Sequence, residues 1–398
     1  MNKTKPTIPF VGLHAHSVAG SIFDAIGYPQ EHMDFAYENG ATALALTDHG
    51  NMNGLPYQVI HAKKMREAGK EFKPIYGVEA YFLPDIEEWR EEYTKAMEDK
   101  KRARSVKKDE QSGATVEDEG ASKKTQDILR RRRHLVLLAQ NQQGLNNLFM
   151  LVSESYKSEN FYRYPRIDFN LLEKYSEGII AASACLGGVY AGSYWEASIY
   201  DEEGKHTGVN KELALELMRK TTRRMVDIFG DRWYAEVQWN NIKQQHELNQ
   251  LIIQVAAEFD VELITTADSH YPNPDAWKDR ELYTRLGWLG KGGLPTFMDS
   301  ELPIGVEEVG YELYPKNGDQ IWESYKNYSK ECGFEYNDDL ILGSITNTYK
   351  IAHQRIDTFA PDNTVRLPDF VVPAGMTDTQ ALVKLSVDGL NGLSLADN

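Results

Sequence analysis

Histidines and carboxylates gather in this sequence at a few places, each at the edge of a short apolar run. His14 and His16 flank one alanine and follow FVGL. Asp48-His49 follows TALALT, and Glu79 lies within PIYGVEAYF. His134 heads HLVLLAQN, Cys185 follows GIIAASA, and Glu236 lies in WYAEVQ. Asp268-Ser269-His270 follows ELITTA. Residues two apart on a strand share a face, so His14 and His16 can aim at one spot, as can Asp268 and His270. Taken singly, each has a plain structural explanation: a hydrogen-bonded histidine, a small buried thiol at Cys185, an aspartate at Asp24 capping a turn. Together they suit divalent transition metals, and a cysteine adds softness toward zinc. The candidates exceed what one four-coordinate ion needs. Two or three ions about 4 Å apart, bridged by carboxylates, is the arrangement that clamps a phosphoester.

The elements that must position these residues are short. The apolar-rich runs have the length of buried strands, and amphipathic stretches such as PQEHMDFAYENG and LNQLIIQVAAEF lie between several of them. Alternating strands and helices predict parallel strands joined by crossover helices, an α/β barrel-like domain with its function at the strand C-termini. His134 opens its strand instead of closing it, and this rim picture does not account for it. Beyond about residue 285 the alternation fades into helical and proline-containing segments, with a last helix expected from Asp378 to Leu390.

One stretch breaks the rhythm. Between Glu87 and Arg133 more than half the residues are charged, and it ends in Arg130, Arg131, Arg132 and Arg133. It reads as a solvated helical insertion or, on its arginines, as a phosphate-contacting arm. Arg163, Arg166 and Lys243 are further candidates for clamping a phosphate at the rim.

Composition narrows the classes. The chain has 398 residues, with 44 Lys+Arg against 60 Asp+Glu for a net charge of −16. That balance lacks the basic footprint of a freestanding nucleic-acid binder. No apolar run is long enough for a transmembrane helix, and MNKTKPTIPF lacks the apolar core of a secretory signal. Two cysteines make no disulfide framework, so a cytoplasmic setting is expected.

The ordered set HAHS, ALTDHGNMNG, GVEAYF, RHLVLLAQN, ACLGG and ADSHYP resembles the polymerase and histidinol phosphatase (PHP) domain. TDHGNM, HLVLLAQNQQGLNNLFMLVS and LPDFVVPAGMT are similar to its polymerase branch, the amino-terminal part of bacterial and phage DNA polymerase III alpha subunits. The resemblance implies a distorted (β/α)7 barrel over residues 1–285, carrying the charged insertion at about 87–133. A mostly helical and extended segment, 286–398, would lead toward a polymerase palm. It implies nine metal ligands: His14, His16, Asp24, His49, Glu79, His134, Cys185, Asp268 and His270. Asp24 is carried over across a one-residue difference in GSIFDAIG. His14, His16, His49, Asp268 and His270 would carry the chemistry, and Asp48 would orient a ligand from behind.

Two or three divalent ions are expected, zinc or manganese with magnesium possible. The implied activity is metal-dependent phosphoester hydrolysis, 3′–5′ on DNA. The partners would be a single-stranded end or primer terminus, the remaining polymerase palm and fingers, or other replisome subunits, and no membrane. Two alternatives stay open: a non-catalytic module that binds polymerase partners, and a small-molecule phosphatase of the histidinol phosphate type. No Asp-x-Asp pair for a polymerase palm is visible, so a split-gene product, a truncated polypeptide or an engineered piece is expected, unable to polymerise DNA alone.

Overall fold

The computed structural model describes residues 5–109, 131–289, 311–362, 364 and 370–392. Packing divides the chain into two units, Met1–Ala360 and Pro361–Asn398.

The first unit is α/β. Its strands are β1 (Ala43–Leu46), β2 (Lys73–Phe82), β3 (Arg133–Ala139), β4 (Phe161–Tyr162), β5 (Tyr164–Ile167), β6 (Ile179–Ala182), β7 (Ser198–Tyr200), β8 (His206–Val209), β9 (Trp233–Val237) and β10 (Leu263–Thr265). The main sheet runs β10-β9-β6-β3-β2-β5-β4, and β1 pairs with the first half of β2. β7 and β8 form a separate hairpin.

The sheet is mixed, which corrects the all-parallel expectation. β1, β5, β6, β9 and β10 pair in parallel where they meet β2 or one another, but β3 runs antiparallel to both β2 and β6. The expected first strand is also irregular. The segment around residues 10–16 makes isolated bridges, Gly12 to Leu44 on one side and Ala15 to Ser269 on the other. Four backbone bonds serve it: Ala45 N to Gly12 O (2.8 Å), Thr47 N to Ala15 O (2.7 Å), His16 N to Ser269 O (2.7 Å) and Ser269 N to His14 O (3.2 Å). They link β1 to the stretch after β10, so this segment closes the curled sheet.

Two apolar clusters follow from the strand alternation. Ile75, Val136, Leu138, Ile180, Ala182, Tyr234 and Ile264 share one cluster with Val11 and Leu13. Their strand neighbours Tyr76, Val78, Leu135, Leu137, Ile179, Ala181, Trp233, Ala235 and Leu263 share the other, with residues of the helices Gln142–Ser155, Lys211–Phe229 and Lys243–Glu258. The first cluster fills the barrel and the second lies beneath its helices. On the inner faces, sequence steps of two lead from this apolar fill toward the site: Ile75 to Glu79, Val136 to His134, Tyr234 to Glu236, and Ile264 through Thr266 to Asp268. The closing segment breaks step. Val11 and Leu13 point inward, yet His14 and His16 both reach the site while Ala15 packs under helices with Met33, Ala36 and Ala62.

Residues 311–360 complete this unit. Helix Asp338–Lys350 buries Ile341 and Ile345 in the outer cluster, and Ser344 and Asn347 bond Thr265 (2.7 Å) and Leu263 O (3.1 Å) beside β10. The following turn places Ile351, Ala352 and Ile356 in the inner cluster.

The charged insertion begins as helix Ile86–Asp109, and its first turns are solvated on one side and packed on the other: Glu87, Glu88, Arg90 and Glu91 are exposed, while Ile86 and Trp89 pack with Leu83 and Ala96 is buried. Arg131 pairs with Glu92 at 3.0 Å, and Arg133 opens β3. Arg130 lies outside the described residues. Arg166, expected at the rim, is fully buried. Its guanidinium lies 4.1 Å from the Trp89 ring and donates to the carbonyls of Arg131, Tyr162 and Tyr164. A charge so thoroughly hydrogen-bonded inside the fold holds the β4–β5 turn and is not offered to a ligand.

The second unit contains helix Asp378–Gly392, begun by Thr377, whose side chain accepts from Gln380 N. No helix among the described residues is long and apolar enough to cross a membrane.

Candidate metal centre

The nine residues singled out in the sequence meet in one place. Glu79, with no exposed surface, lies at its middle. Its Oε1 is 3.2 Å from His14 Nε2 and 3.1 Å from His134 Nδ1, and its Oε2 is 2.5 Å from His49 Nδ1 and 3.6 Å from His16 Nε2. Asp268 Oδ1 is 3.3 Å from His14 Nε2 and 3.2 Å from His16 Nε2. Asp24 Oδ2 approaches His49 Nε2 at 2.8 Å and His270 Nε2 at 3.5 Å. Cys185 Sγ is 3.7 Å from His134 Nδ1 and 3.9 Å from Glu79 Oε1.

The antiparallel direction of β3 explains His134. The start of β3 lies beside the end of β2, with His134 opposite Tyr81, so an N-terminal residue reaches the same rim as the C-termini of the other strands.

The histidine tautomers follow from their partners. His14 Nδ1 meets Glu236 Oε1 at 2.9 Å, an acceptor only, so that nitrogen carries the proton. His270 Nδ1 likewise donates to the Asp268 carbonyl at 2.7 Å. Ser21 gives its proton to Asp48 Oδ1 (2.9 Å) and so accepts from His16 Nδ1 (3.2 Å) and from His49 N (3.1 Å). In all three histidines the outer nitrogen is engaged and Nε2 is the atom left toward the centre. This is the pattern by which outer partners orient imidazole ligands.

Glu236 therefore has a task the sequence reading did not give it. It sits behind His14 and also accepts from Gln238 Nε2 (3.0 Å) and Thr266 Oγ1 (2.6 Å). The available signal was a lone glutamate within the apolar WYAEV. Asp48 also stands behind the cluster, bound by Ser17 N (2.6 Å), Ser17 Oγ (2.9 Å) and Ser21 Oγ. Arg280 escaped notice because no motif surrounds it. It fixes Asp24 through Nη2 to Oδ1 (2.7 Å) and Nε to the carbonyl (2.8 Å). His246 is structural, bonded to Asn240 O (2.9 Å) and the Tyr336 hydroxyl (3.0 Å).

The electrostatics call for cations. Burial opposes charge on His14, but Asp268, Glu236 and Glu79 outweigh it and raise its pKa well above the usual value. His49 is raised likewise against burial, with Tyr81, Glu79 and Asp24 responsible. Glu79 is held low despite burial by His134, His49 and His14. His16 is pushed down to about 3 by burial and by its neighbours His49 and His270. Burial, with Asp268 and Glu79, drives the Cys185 thiol up.

The donor set fits divalent ions on an independent observation. His14 Nε2, His16 Nε2, His49 Nδ1, Glu79 Oε2 and Asp268 Oδ1 are all buried and crowd one another without a well-aligned hydrogen bond, and all belong to this one cluster. Orphaned buried polar atoms are costly and rare. Ions shared among these side chains would satisfy them. Three overlapping sets, His16–His49–His270, His14–His16–Glu79 and His49–Glu79–His134, each bring their donors within 4.8 Å of one another. Asp268 and Ala184 adopt left-handed backbone, with φ of 48° and 61°, a conformation uncommon outside glycine that concentrates at functional sites.

The cluster is not sealed. Asp24, His49, His134, Cys185, Asp268 and His270 form part of the lining of a cleft of about 690 Å³.

A family model described as the PHP domain matches residues 12–240. The chain belongs to the PHP family. Among curated proteins, this PHP chain is 32% identical over 384 residues to the DNA polymerase III subunit alpha of Aquifex aeolicus, covering 96% of this chain and 27% of that protein. It is 28% identical over 369 residues to the Campylobacter jejuni subunit, covering 90% and 26%. The chain is thus homologous to these alpha subunits and spans about a quarter of their length. Among solved structures, an amidohydrolase from Chromobacterium violaceum is 14% identical at a TM-score of 0.33, covering 69% of this chain and 96% of that one. That likeness is too distant to carry an argument.

Proposed function

We propose that this PHP domain is a metal-dependent phosphoesterase that removes nucleotides from the 3′ end of single-stranded DNA, as part of a replicative polymerase in the cytoplasm. The observation that carries this reading is the set of five orphaned donor atoms, buried beside an open cleft. His14, His16, His49, His134, His270, Glu79, Asp24, Asp268 and Cys185 would hold two or three divalent ions, zinc or manganese foremost. Such ions supply Lewis-acid polarisation of a phosphate and lower the pKa of water.

The rest is the work of the chain. Glu236, Ser21 and the Asp268 carbonyl hold protons on the outer nitrogens of His14, His16 and His270, so these rings donate electron pairs inward without reorganising. Arg280 holds Asp24 at the cleft side. The Asp24 side chain is 38% exposed while that of Glu79 is closed to solvent, so a phosphate would arrive from the Asp24, His49 and His270 side. The acidic surface offers no general attraction to DNA, which suits delivery of the strand end by the polymerase chain or other replisome subunits.

The depth of Glu79, His14 and His16 also favours a second reading, in which the ions chiefly brace the fold of a partner-binding module. One experiment separates the two: metal analysis of the purified chain, followed by a time course on end-labelled single-stranded DNA with wild type and Asp268→Asn side by side. Chelator-sensitive 3′–5′ shortening by wild type alone supports hydrolysis. Full metal content without cleavage supports the bracing role. Faster turnover of a small phosphomonoester than of DNA would point to the small-molecule phosphatase.

A further inference from the structure

Part of the cleft lining lies outside the metal-ligand set. It includes Trp195, Tyr200 and His206, which belong to the β7–β8 hairpin and the helix Val189–Glu196 just before it, and Gln245 on the helix Lys243–Glu258. The rings form one group: Tyr200 and His206 centroids lie 5.7 Å apart, and Trp195 and His206 lie 6.0 Å apart. Tyr194 ties the two sides together. Its hydroxyl donates to Glu247 Oε2 at 2.6 Å and lies 3.3 Å from His206 Nε2. Tyr200 is half exposed although it lines the cleft.

Gln245 adds an independent sign of a ligand. It is 2% exposed, and its Oε1 has no partner. The amide orientation is fixed, because Nε2 donates to Asn249 Oδ1 (2.9 Å) while Asn249 Nδ2 donates to Gln238 O (2.7 Å). A buried acceptor therefore borders the cleft with its bond unmade, at a cost that a ligand donor would remove.

We propose that this part of the cleft is a nucleobase subsite, in which Tyr200 stacks on the base of the nucleotide whose phosphate lies among the metal ligands and Gln245 Oε1 accepts a hydrogen bond from the base edge. The proposal rests on the nucleotide-cleaving reading above and specifies how the substrate is held. A cleft of about 690 Å³ is within the usual range for sites that enclose a small organic ligand. Aromatic faces suit any base, because every base has a π-face. The hairpin tip carries exposed Asp201, Glu202 and Glu203 against one exposed cation, Lys205, so its net charge does not favour a phosphate-dominated grip.

The test uses the full metal-loaded chain and probes bearing the fluorescent base 2-aminopurine. One probe is an oligonucleotide with this base at its 3′ end and a terminal phosphorothioate to block cleavage; the other is the 2-aminopurine deoxynucleoside monophosphate. Wild type should quench the base saturably. Tyr200→Ala should weaken binding roughly ten-fold at unchanged metal content, and Tyr200→Phe should bind as wild type. Affinity should fall less than about ten-fold between ~50 and ~200 mM salt, unlike a phosphate-dominated contact. Tighter binding of the oligonucleotide identifies a strand end as the source of the base, and equal binding identifies a free nucleotide. No quenching by wild type, or equal quenching by Tyr200→Ala, overturns the subsite. If wild type binds both probes but cleaves no DNA, the nuclease reading falls while the base subsite stands. If it cleaves DNA and Tyr200→Ala binds normally, the subsite alone falls.

Discussion

Glu79 reaches His134 diagonally across an antiparallel ladder: Glu79 is paired with Val136, Tyr81 with His134, and the Glu79 carboxylate stands 3.1 Å from the His134 ring. One carboxylate thereby touches histidines from three places in the chain, His14, His49 and His134.

Glu79→Gln should remove the charge at the middle of the cluster while keeping its shape. Metal affinity should fall by more than the roughly 10–100-fold expected for losing an outer hydrogen-bond partner. The metal-stripped variant should melt within a few degrees of metal-stripped wild type. At free metal about 100-fold above the dissociation constant, wild type should gain about 3 kcal/mol that the variant lacks. Calorimetric titration and thermal melts with and without chelator measure both. Equal metal affinity in the two proteins would remove Glu79 from the centre.

Glu236 tests the outer partners. In Glu236→Gln an amide oxygen can still accept from His14 Nδ1, but the charge that strengthens the imidazole as a donor is gone. In Glu236→Leu nothing fixes the ring. Metal affinity should fall in the order wild type, Gln, Leu, the last by roughly 10–100-fold. Tryptophan fluorescence and melts of the stripped proteins check that the fold persists. Unchanged affinity in Glu236→Leu would make Glu236 a bystander.

How much of this was legible depended on whether a residue's role is local. His14, His16, His49, Asp268 and His270 could be marked because short motifs put them at the ends of apolar runs. The barrel and its apolar fill were legible because strand alternation is written in sequence. The direction of β3 was not, since a strand of Leu and Val reads the same either way, and so His134 had no place until the ladder was known. Arg280 reaches Asp24 from 256 residues away and Ser21 joins His16 to Asp48, 27 residues on, and no motif distinguishes either. Arg166 looked like a rim cation because charge is visible in sequence and its burial is not.

Arg166 therefore carries a prediction opposite to a phosphate clamp. Arg166→Met should leave the carbonyls of Arg131, Tyr162 and Tyr164 without their donor and destabilise the fold by about 3 kcal/mol or more. The salt dependence of DNA binding should keep its slope. Urea unfolding and binding at several salt concentrations test the pair. A reduced slope with intact stability would restore Arg166 to the rim.

His32 gives the expected pH dependence of the metal-free fold. Burial pushes it down to about 4, partly offset by its bond to the Ile26 carbonyl, with His270 lowering it further. Below an ordinary pKa of 6.5 the unfolded chain takes up a proton that the folded chain refuses. The contribution is therefore complete above pH 6.5 and is lost as pH falls toward 4, amounting to about 3 kcal/mol across that window. His32→Gln places an amide donor near the Nε2 position for Ile26 O and removes the titration. In chelator, its unfolding free energy should decline less steeply than that of wild type between these limits. Parallel pH profiles would show that His32 titrates alike in both states.

Asp24 and Arg280 separate the outer donors from the inner ones. Glu79 and His16 are closed to solvent, whereas Asp24 is 38% exposed and depends on Arg280 for its position. Lysine keeps the charge of Arg280 but cannot hold a side-chain oxygen and a carbonyl with one planar fork. Arg280→Lys should loosen Asp24 and leave the contacts among Glu79, His14 and His16 untouched. Cobalt titration followed by visible absorption should show this as loss of the weakest phase of uptake. The charge-transfer band that reports Cys185 should remain. DNA cleavage should fall together with the lost phase, because the phosphate is expected from that side of the cleft. Loss of all phases together would mean that the donors bind as one unit and that Asp24 is not a separable outer ligand.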